Sequence, residues 1–357
     1  MTRHRNPLLD RLGIALPIIQ APMAGVSTPA MAAAVTQAGG LGSLGVGATD
    51  AEGARSMIAG MRVLTNGPLN VNLFCHAPAV SNAAVESKWI ARLRPEFEAL
   101  GAEPPAALSE IYRSFLDDPA MLEMLLAERP AAVSFHFGLP SLDWLRRLKA
   151  AGIVLLASAT SLAEARACEA AGVDAVVAQG WEAGGHRGVF DPDAGDDRLG
   201  TFALTRLLVR ELSVPVIASG GIMDGAGIAA VLALGAAAAQ LGTAFVASDE
   251  SQADVGYRAA LKSDAANHTI MTRAISGRPA RSLANRFTAL GRDIAPADIP
   301  AYPMAYDLGK ALHAAGKRQG EFGFGAQWAG QGAPLSRPMP AGRMVATLAE
   351  ELEAAVR

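Results

Sequence analysis

A chain of 357 residues, half of them hydrophobic and 18% charged, has the material for one large core, and its length suits a single α/β barrel carrying insertions. Thirty-one basic against thirty-four acidic residues give a formal charge of −3 with no block of like charges, so neither nucleic acid nor an anionic membrane surface has an electrostatic footprint to meet. Cys75 and Cys168 stand far apart and form no C-x-x-C pair or disulfide framework, which points to two structural thiols in a reducing, cytoplasmic setting.

Met1–Gly13 carries charges but runs into no apolar segment with a small-residue cleavage site, so no signal peptide is expected there. From that point short apolar runs of strand length alternate with helical stretches, the pattern of repeated βα units around a parallel sheet. Eight such runs occur: Pro17–Gln20, Gly40–Leu44, Leu69–Phe74, Ala132–His136, Ile153–Ser158, Asp174–Gln179, Val214–Ser219 and Ala238–Leu241. Helices are predicted over Pro29–Ala38, Ser141–Ala150, Ser161–Ala171 and Gly225–Leu234, each closing near a glycine (Gly39, Gly152, Gly172, Gly235) suited to a left-handed C-cap. Ser161 and Glu164 have capping-box spacing. The uncharged stretches 12–49 and 225–248 are long enough to raise a membrane reading, but prolines and glycines cut them into helix and strand. Eight units favour a closed (β/α)8 TIM barrel over an open doubly wound sheet.

Two segments break the repeat. Residues 77–129 read as a helical insertion after the third strand, with helices at Ser87–Leu100 and Asp118–Arg129 around a Pro104–Pro105 break. Residues 249–330 read as a helical addition over the barrel mouth, where active sites of this fold are built, and 331–357 as a C-terminal helix region. The expected division is therefore a barrel over 1–76 and 130–248, with the other three segments added to it.

The most informative chemistry lies in Gln179-Gly-Trp-Glu-Ala-Gly-Gly-His-Arg-Gly188, directly after the sixth strand. Its glycines, Gly184 and Gly185 among them, let backbone approach a flat or anionic ligand and leave one imidazole, His186, at the functional end of the barrel. Ala218-Ser219-Gly220-Gly221-Ile222 and Gln240-Leu241-Gly242-Thr243 follow the seventh and eighth strands, whose loops often form a phosphate site in this fold. Ala21-Pro22-Met23 after the first strand and Asn72 near the end of the third suit the rim of a flavin ring, which needs donors and acceptors in its plane. Gly40-Leu-Gly-Ser-Leu-Gly45 matches a dinucleotide fingerprint formally, but it falls within a strand and its exit, opens no helix and has no acidic residue about 20 positions on. A tightly packed strand is the better reading. No Walker A sequence and no His/Cys cluster at metal-ligand spacing occurs.

The chain has only four tyrosines: Tyr112, Tyr257, Tyr302 and Tyr306. Tyr302, Tyr306 and Lys310 are spaced i, i+4, i+8, which aligns two phenols and an ammonium on one helix face. His136 ends the fourth strand and points to the same mouth. Together they suggest an aromatic pocket with polar donors for a small anion.

These residues resemble the nitronate monooxygenase family, formerly called 2-nitropropane dioxygenases, along nearly the whole chain: the Q-A-P-M start, the A-Q-G-x-E-A-G-G-H-R-G loop, S-G-G-I and Q-L-G-T-x-F. The resemblance implies FMN held at Ala21–Met23, Asn72, Gln179, Gly184, Gly185, Ser219–Gly221 and Gln240–Thr243, with His186 as the active-site histidine. It also implies a pocket of the class I bacterial type formed by Tyr112, His136, Tyr257, Tyr302, Tyr306 and Lys310. The implied activity is oxidation of alkyl nitronates of the propionate 3-nitronate kind by O2, giving a carbonyl compound and nitrite or nitrate, in a monomer or homodimer. The Asp-rich loop 189–199 is expected to vary freely. The alternatives are an NAD(P)H-dependent flavin reductase of quinones or enoyl thioesters on the same fold, and a flavin-free nucleotide-binding barrel of the inosine-monophosphate-dehydrogenase kind. The second needs a cysteine after the sixth strand, and Cys168 precedes that strand.

Overall fold

The computed structural model describes residues 6–357, so the start of the charged N-terminal stretch lies outside the described residues. The first six apolar runs become strands β1 (Ile18–Gln20), β2 (Gly42–Gly45), β3 (Leu69–Phe74), β4 (Ala132–His136), β5 (Val154–Ala159) and β6 (Ala175–Gln179). After a two-residue strand outside the barrel, β7 (Gly185–His186), the last two runs become β8 (Val216–Ser219) and β9 (Ala238–Leu241). All the barrel ladders are parallel, in the order β1-β9-β8-β6-β5-β4-β3-β2. A parallel bridge between Ile19 and Leu41 joins the two ends, with Gln20 N–H donating to the Leu41 carbonyl at 3.0 Å. The expected (β/α)8 TIM barrel is the fold found.

The strands read as near-continuous apolar runs because both faces are covered. The helices are α1 (Pro7–Leu12), α2 (Pro29–Gln37), α3 (Ala51–Leu64), α4 (Ala83–Ala99), α5 (Pro119–Glu128), α6 (Leu142–Ala150) and α7 (Leu162–Ala170). They continue as α8 (Thr201–Glu211), α9 (Gly225–Ala233), α10 (Thr243–Val246), α11 (Val255–Leu261), α12 (Arg286–Leu290), α13 (Met304–Arg318) and α14 (Ala341–Ala355). Helix α1 plugs the N-terminal end of the barrel: Leu8 and Leu12 pack with Ile19, Leu156, Val177 and Ile217. Gly42 admits α2 against β2, since a Cβ there would lie 2.6 Å from a backbone carbon of Ala32. Gly152 and Gly172 end α6 and α7 at φ +82° and +85° with open space around them, so their backbone angle alone selects glycine.

Packing divides the added segments differently from sequence order. Helix α5 contributes Met121, Leu122 and Leu125 to the barrel core beside α3 and α6. Helix α14 packs between α9 and α2, burying Met344, Val345 and Leu348. Both thus stand in the helical ring, as the layers follow β3 and β9. The segments that cover the mouth are 75–118, with α4, and 248–340, with α13; their buried side chains form a separate cluster around Trp89, Phe97, Phe287, Leu308 and Phe324.

A small antiparallel sheet fastens that cover to the barrel. β10 (Thr269–Thr272) pairs with β11 (Ala280–Leu283), and β11 pairs with β7 so that Ala280 faces His186. The capping box expected at Ser161 is only half made: Glu164 N–H donates to Ser161 Oγ at 3.3 Å, whereas the Glu164 carboxylate accepts from Thr160 and, at 2.8 Å, from Phe190 N–H. That carboxylate is drawn away because it ties the helix start to the loop following β7.

Candidate active site

The register of the parallel ladders places polar side chains at one level around the C-terminal end of the barrel. Asn72 lies opposite Ser134, Gln179 opposite Ser219, and Ser219 opposite Gln240. Above them opens a cleft of about 1200 Å3, counted to its open mouth. It is lined by Ala21, Pro22, Met23, Asn72, Gln179, Gly184, Gly185, Ser219, Gly220, Gly221, Gln240, Gly242 and Thr243 on one side. Tyr112, His136, His186, Tyr257, Tyr302 and Tyr306 line the other. Two of the expected residues stand apart. Leu241 turns its side chain into the core between β9 and the helices and meets the site only through its carbonyl, which accepts from Ala21 N–H at 2.8 Å. Lys310 lines an adjoining cavity that shares Tyr112, Tyr257, Tyr306 and Trp328 with the cleft.

On the glycine side four backbone segments converge. A Cβ on Gly184 would lie 2.6 Å from the Ala329 carbonyl carbon, and one on Gly332 would lie 2.9 Å from the Gly221 carbonyl oxygen. The 329–332 segment therefore crosses directly over the turns that leave β6 and β8, and Gly330 N–H donates to Thr243 Oγ1 at 3.0 Å. The result is a cradle with almost no side chain in it, which fits a phosphate held by backbone amides. The apolar Ala21–Met23 rim beside it fits a flat ring.

Gln179 and His136 serve the loop itself. Gln179 Nε2 donates to the His186 carbonyl at 2.9 Å, and its Oε1 accepts from Gly188 N–H at 2.7 Å. His136 Nε2 lies 3.1 Å from the same carbonyl, so it carries the proton; its Nδ1 then accepts from Ser158 Oγ at 3.0 Å. With both nitrogens committed, His136 does not offer a free donor to a bound anion, contrary to expectation, and it acts on the site by fixing the His186 backbone. Burial, more than compensating its bond to His186, lowers the His136 pKa to about 4.

The helix-face reading of the tyrosines also needs correction. Tyr302 precedes α13, whose N-cap is Pro303, so only Tyr306 and Lys310 share a helix face. Tyr302 nonetheless reaches the cleft from the approach to the helix, its ring 5.3 Å from His186 and 6.2 Å from Tyr112. Lys310 Nζ donates to Tyr112 OH at 2.8 Å and lies 4.9 Å from that ring's centre. No carboxylate among the described residues lies within ion-pair distance of it. Burial raises every phenol: Tyr112 to about 12, and Tyr257, Tyr302 and Tyr306 further. All four are hydrogen-bond donors at neutral pH. His186 is lowered well below 6.5, by burial first and then by His136, Arg278 and His76, so its imidazole is neutral.

Sequence reading missed several members of the site. Trp328 closes the wall, 5.1 Å from His186, with Nε1–H donating to Tyr306 OH at 3.3 Å and its carbonyl accepting from Tyr257 OH. Its surroundings, Gly-Phe-Gly-Ala-Gln-Trp-Ala-Gly-Gln-Gly, are a second glycine-rich run with a rare aromatic, a signal that was present. The loop 189–199, left undiagnostic by the sequence, makes charged contacts beside the site. Asp196 clamps the buried Arg187 at 2.8 and 3.0 Å, giving that charge the partner its burial demands, and Asp193 pairs with Arg273 at 2.7 Å.

Comparison with known proteins agrees with this geometry. The family model described as nitronate monooxygenase matches residues 5–351. A nitronate monooxygenase of Paraburkholderia phytofirmans is 66% identical over 99% of this chain and 96% of its own, and one of Pseudomonas aeruginosa is 56% identical over 96% and 97%. Among solved structures, a nitroalkane oxidase from Streptomyces ansochromogenes superimposes with a TM-score of 0.90 at 43% identity, covering 98% of both chains. FabK from Thermotoga maritima does so with 0.72 at 30% identity, covering 99% of this chain and 97% of its own. The chain belongs to the nitronate monooxygenase family and is a flavin-dependent oxidoreductase that oxidises nitronates.

Proposed function

We propose that the flavin is FMN and that the substrates are alkyl nitronates of the propionate 3-nitronate kind, oxidised with O2 to a carbonyl compound and nitrite or nitrate. The observation that carries this reading is the meeting, in one cleft, of a side-chain-free backbone cradle with a wall of four protonated phenols and a neutral imidazole, with Lys310 in the adjoining cavity gripping the Tyr112 hydroxyl. Bound FMN would supply the redox chemistry, taking electrons from the substrate and passing them to O2.

Gly184, Gly185, Ser219, Gly220, Gly221, Gly242 and Thr243 would hold the ribityl phosphate; Ala21–Met23, Asn72 and Gln240 would border the ring. The protein's part in the reaction is to bind and orient an anion. Lys310, with the Tyr112 hydroxyl it grips, supplies positive charge at the outer wall, and the Tyr302 and Tyr306 hydroxyls donate to nitro oxygens. Trp328 and the tyrosine rings exclude water, which strengthens each of those contacts. His186 orients the nitronate, and it can accept the α-proton of a neutral nitroalkane. A base held well below its ordinary pKa is unprotonated at neutral pH yet weak, so this site handles an anion already formed better than it forms one. The free, buried thiols of Cys75 and Cys168 accord with a reducing, cytoplasmic location.

The test is to release the cofactor by heat, identify it by mass, and follow O2 uptake with propionate 3-nitronate and its carbon-protonated acid form, whose nitro group is uncharged. FMN with rapid uptake on the nitronate and slow uptake on the acid form is the expected result; a different cofactor, or equal rates, would overturn the reading.

A further inference from the structure

The turn Ser276–Gly277–Arg278, between β10 and β11, has no part in the reading above, yet it meets His186 directly. His186 Nε2 lies 2.9 Å from Ser276 Oγ, and that hydroxyl reaches the Arg278 carbonyl at 3.3 Å. A carbonyl only accepts, so the hydroxyl hydrogen belongs to that bond and the oxygen's lone pairs face the imidazole. The contact with His186 is then Nε2–H donating to Ser276. His186 Nδ1, which has no protein hydrogen bond among the described residues, is left as the lone-pair nitrogen of a ring that lines the cleft.

Gly277 holds the turn against the approach to α13. It sits at φ +92°, and a Cβ there would lie 2.6 Å from both the Pro300 carbonyl oxygen and Tyr302 N. One turn therefore fixes both His186 and the backbone that delivers Tyr302. Arg278 is 4% exposed, and its guanidinium lies 4.3 Å from the centre of the Phe137 ring. It donates to the carbonyls of Val189 and Phe190, its Nε has no partner, and among the described residues no carboxylate lies within ion-pair distance of it. Phe137 is itself strained, a non-glycine residue at φ +74°, and its ring meets His186 at 5.6 Å and His136 at 4.5 Å.

We infer that this turn is the positioning device of the site: Ser276 holds His186 with Nε2 protonated and Nδ1 available to the cleft, while Arg278 keeps a buried positive charge behind Phe137. That charge opposes protonation of the imidazole and favours an anion at its face. The inference deepens the role given to His186 and rests on it. The other titratable groups facing His186 are His136 from the end of β4, His76 from the segment after β3, and Tyr302 and Tyr306 from α13 and its approach. Burial, with Arg278 adding to it, lowers His76 to about 4, and the phenols stay protonated, so at neutral pH Arg278 is the one full charge among these neighbours. Its own pKa, lowered to about 10 by burial, leaves it cationic there.

The test is nitrogen NMR of the histidine rings in the flavin-loaded enzyme, with His186 assigned by its loss in His186→Asn. The wild-type ring should show the neutral form protonated at Nε2 at neutral pH and through the range where an ordinary imidazole takes up its proton. Ser276→Ala should mix the two tautomers and lower turnover of a neutral nitroalkane about tenfold while nitronate turnover falls less than about threefold. Ser276→Thr, which keeps the hydroxyl, should restore both. Arg278→Met should move the acidic limb of the nitroalkane pH profile upward, since removing a cation makes protonation of His186 easier. A wild-type ring protonated at Nδ1, or a folded, flavin-loaded Ser276→Ala with an unchanged tautomer, would overturn the assignment to Ser276. An unmoved pH limb in a folded Arg278→Met would overturn the assignment to Arg278. The ring spectra do not depend on which substrate the enzyme oxidises, so failure of the proposed function, seen as no turnover of any nitronate, is a separate outcome.

Discussion

Around β6, β8 and β9 the cleft is lined by backbone: Gly184, Gly185, Gly220, Gly221 and Gly242 with the crossing strap 329–332. Across from it the lining is side chain, with Tyr112, Tyr302, Tyr306 and Trp328 delivered by the segments 75–118 and 248–340 that cover the mouth. Apart from the strap, which the cover supplies, the first side belongs to the barrel repeat, and it recognises a ligand with groups that any sequence carries, provided no Cβ intrudes. The second side depends on particular residues held by the added segments. A barrel built this way can keep one cofactor while its cover changes the substrate, which accords with the fold being shared by proteins as different in name as a nitroalkane oxidase and FabK.

That contrast can be broken from either side. The largest effect is expected from Gly184→Val, whose side chain would collide with the backbone at Ala329. The purified variant should have lost essentially all of its yellow colour and activity while its circular dichroism stays native; full flavin content would remove the backbone cradle from the account. Next comes Asp196→Ala, which strands the buried Arg187 without its carboxylate and should destabilise the chain by about 3 kcal/mol in denaturant titration. Burial on its own would raise Asp196, but the hydrogen bonds and charge of Arg187 hold its pKa below the ordinary value. The stability it contributes is therefore present above the unfolded carboxylate pKa and lost as pH falls through the folded one, so wild type and variant should converge in acid.

On the side-chain half, His186→Asn should lower turnover of a neutral nitroalkane about a hundredfold and that of the nitronate less than about tenfold, measured by O2 uptake. Equal losses would mean that the imidazole acts on both substrates alike. The smallest effect is expected from Lys310→Met. Removing this unpaired charge should raise KM for a nitronate about five- to tenfold, with kcat nearly unchanged and with weaker dependence of kcat/KM on salt. An unchanged KM would place Lys310 outside substrate recognition.

How well each half could be read from sequence follows the same division. Leu69–Phe74, Ala132–His136 and Ala238–Leu241 were legible to the residue because a strand covered on both faces is mostly small or apolar, keeps its few polar side chains toward the mouth, and stops where turn residues begin. The glycine runs after β6 and β8 were legible because few other roles require so many small residues at strand ends. Helices α5 and α14 were harder to place: each is separated from its strand by an insertion, and only packing shows that Met121 and Met344 belong to the barrel ring. Tyr302 looked helical by spacing, and its partners His76 and Phe137 come from distant segments that no periodicity connects. Ser276, Arg278 and Trp328 lie in a stretch without repeat, where a residue's position is set by which chain crosses it. His136 shows the limit from the other direction, since its place at the mouth was readable but the use of both its nitrogens was not.

The central claim is that the two halves together make a site for a flavin and a nitronate anion. Its most direct measurement is the visible spectrum of the purified protein mixed without oxygen, first with propionate 3-nitronate and then separately with NADH. The account predicts a yellow protein whose flavin spectrum changes within seconds on the nitronate and holds on NADH. A colourless protein, or a flavin bleached by NADH and untouched by the nitronate, would contradict it.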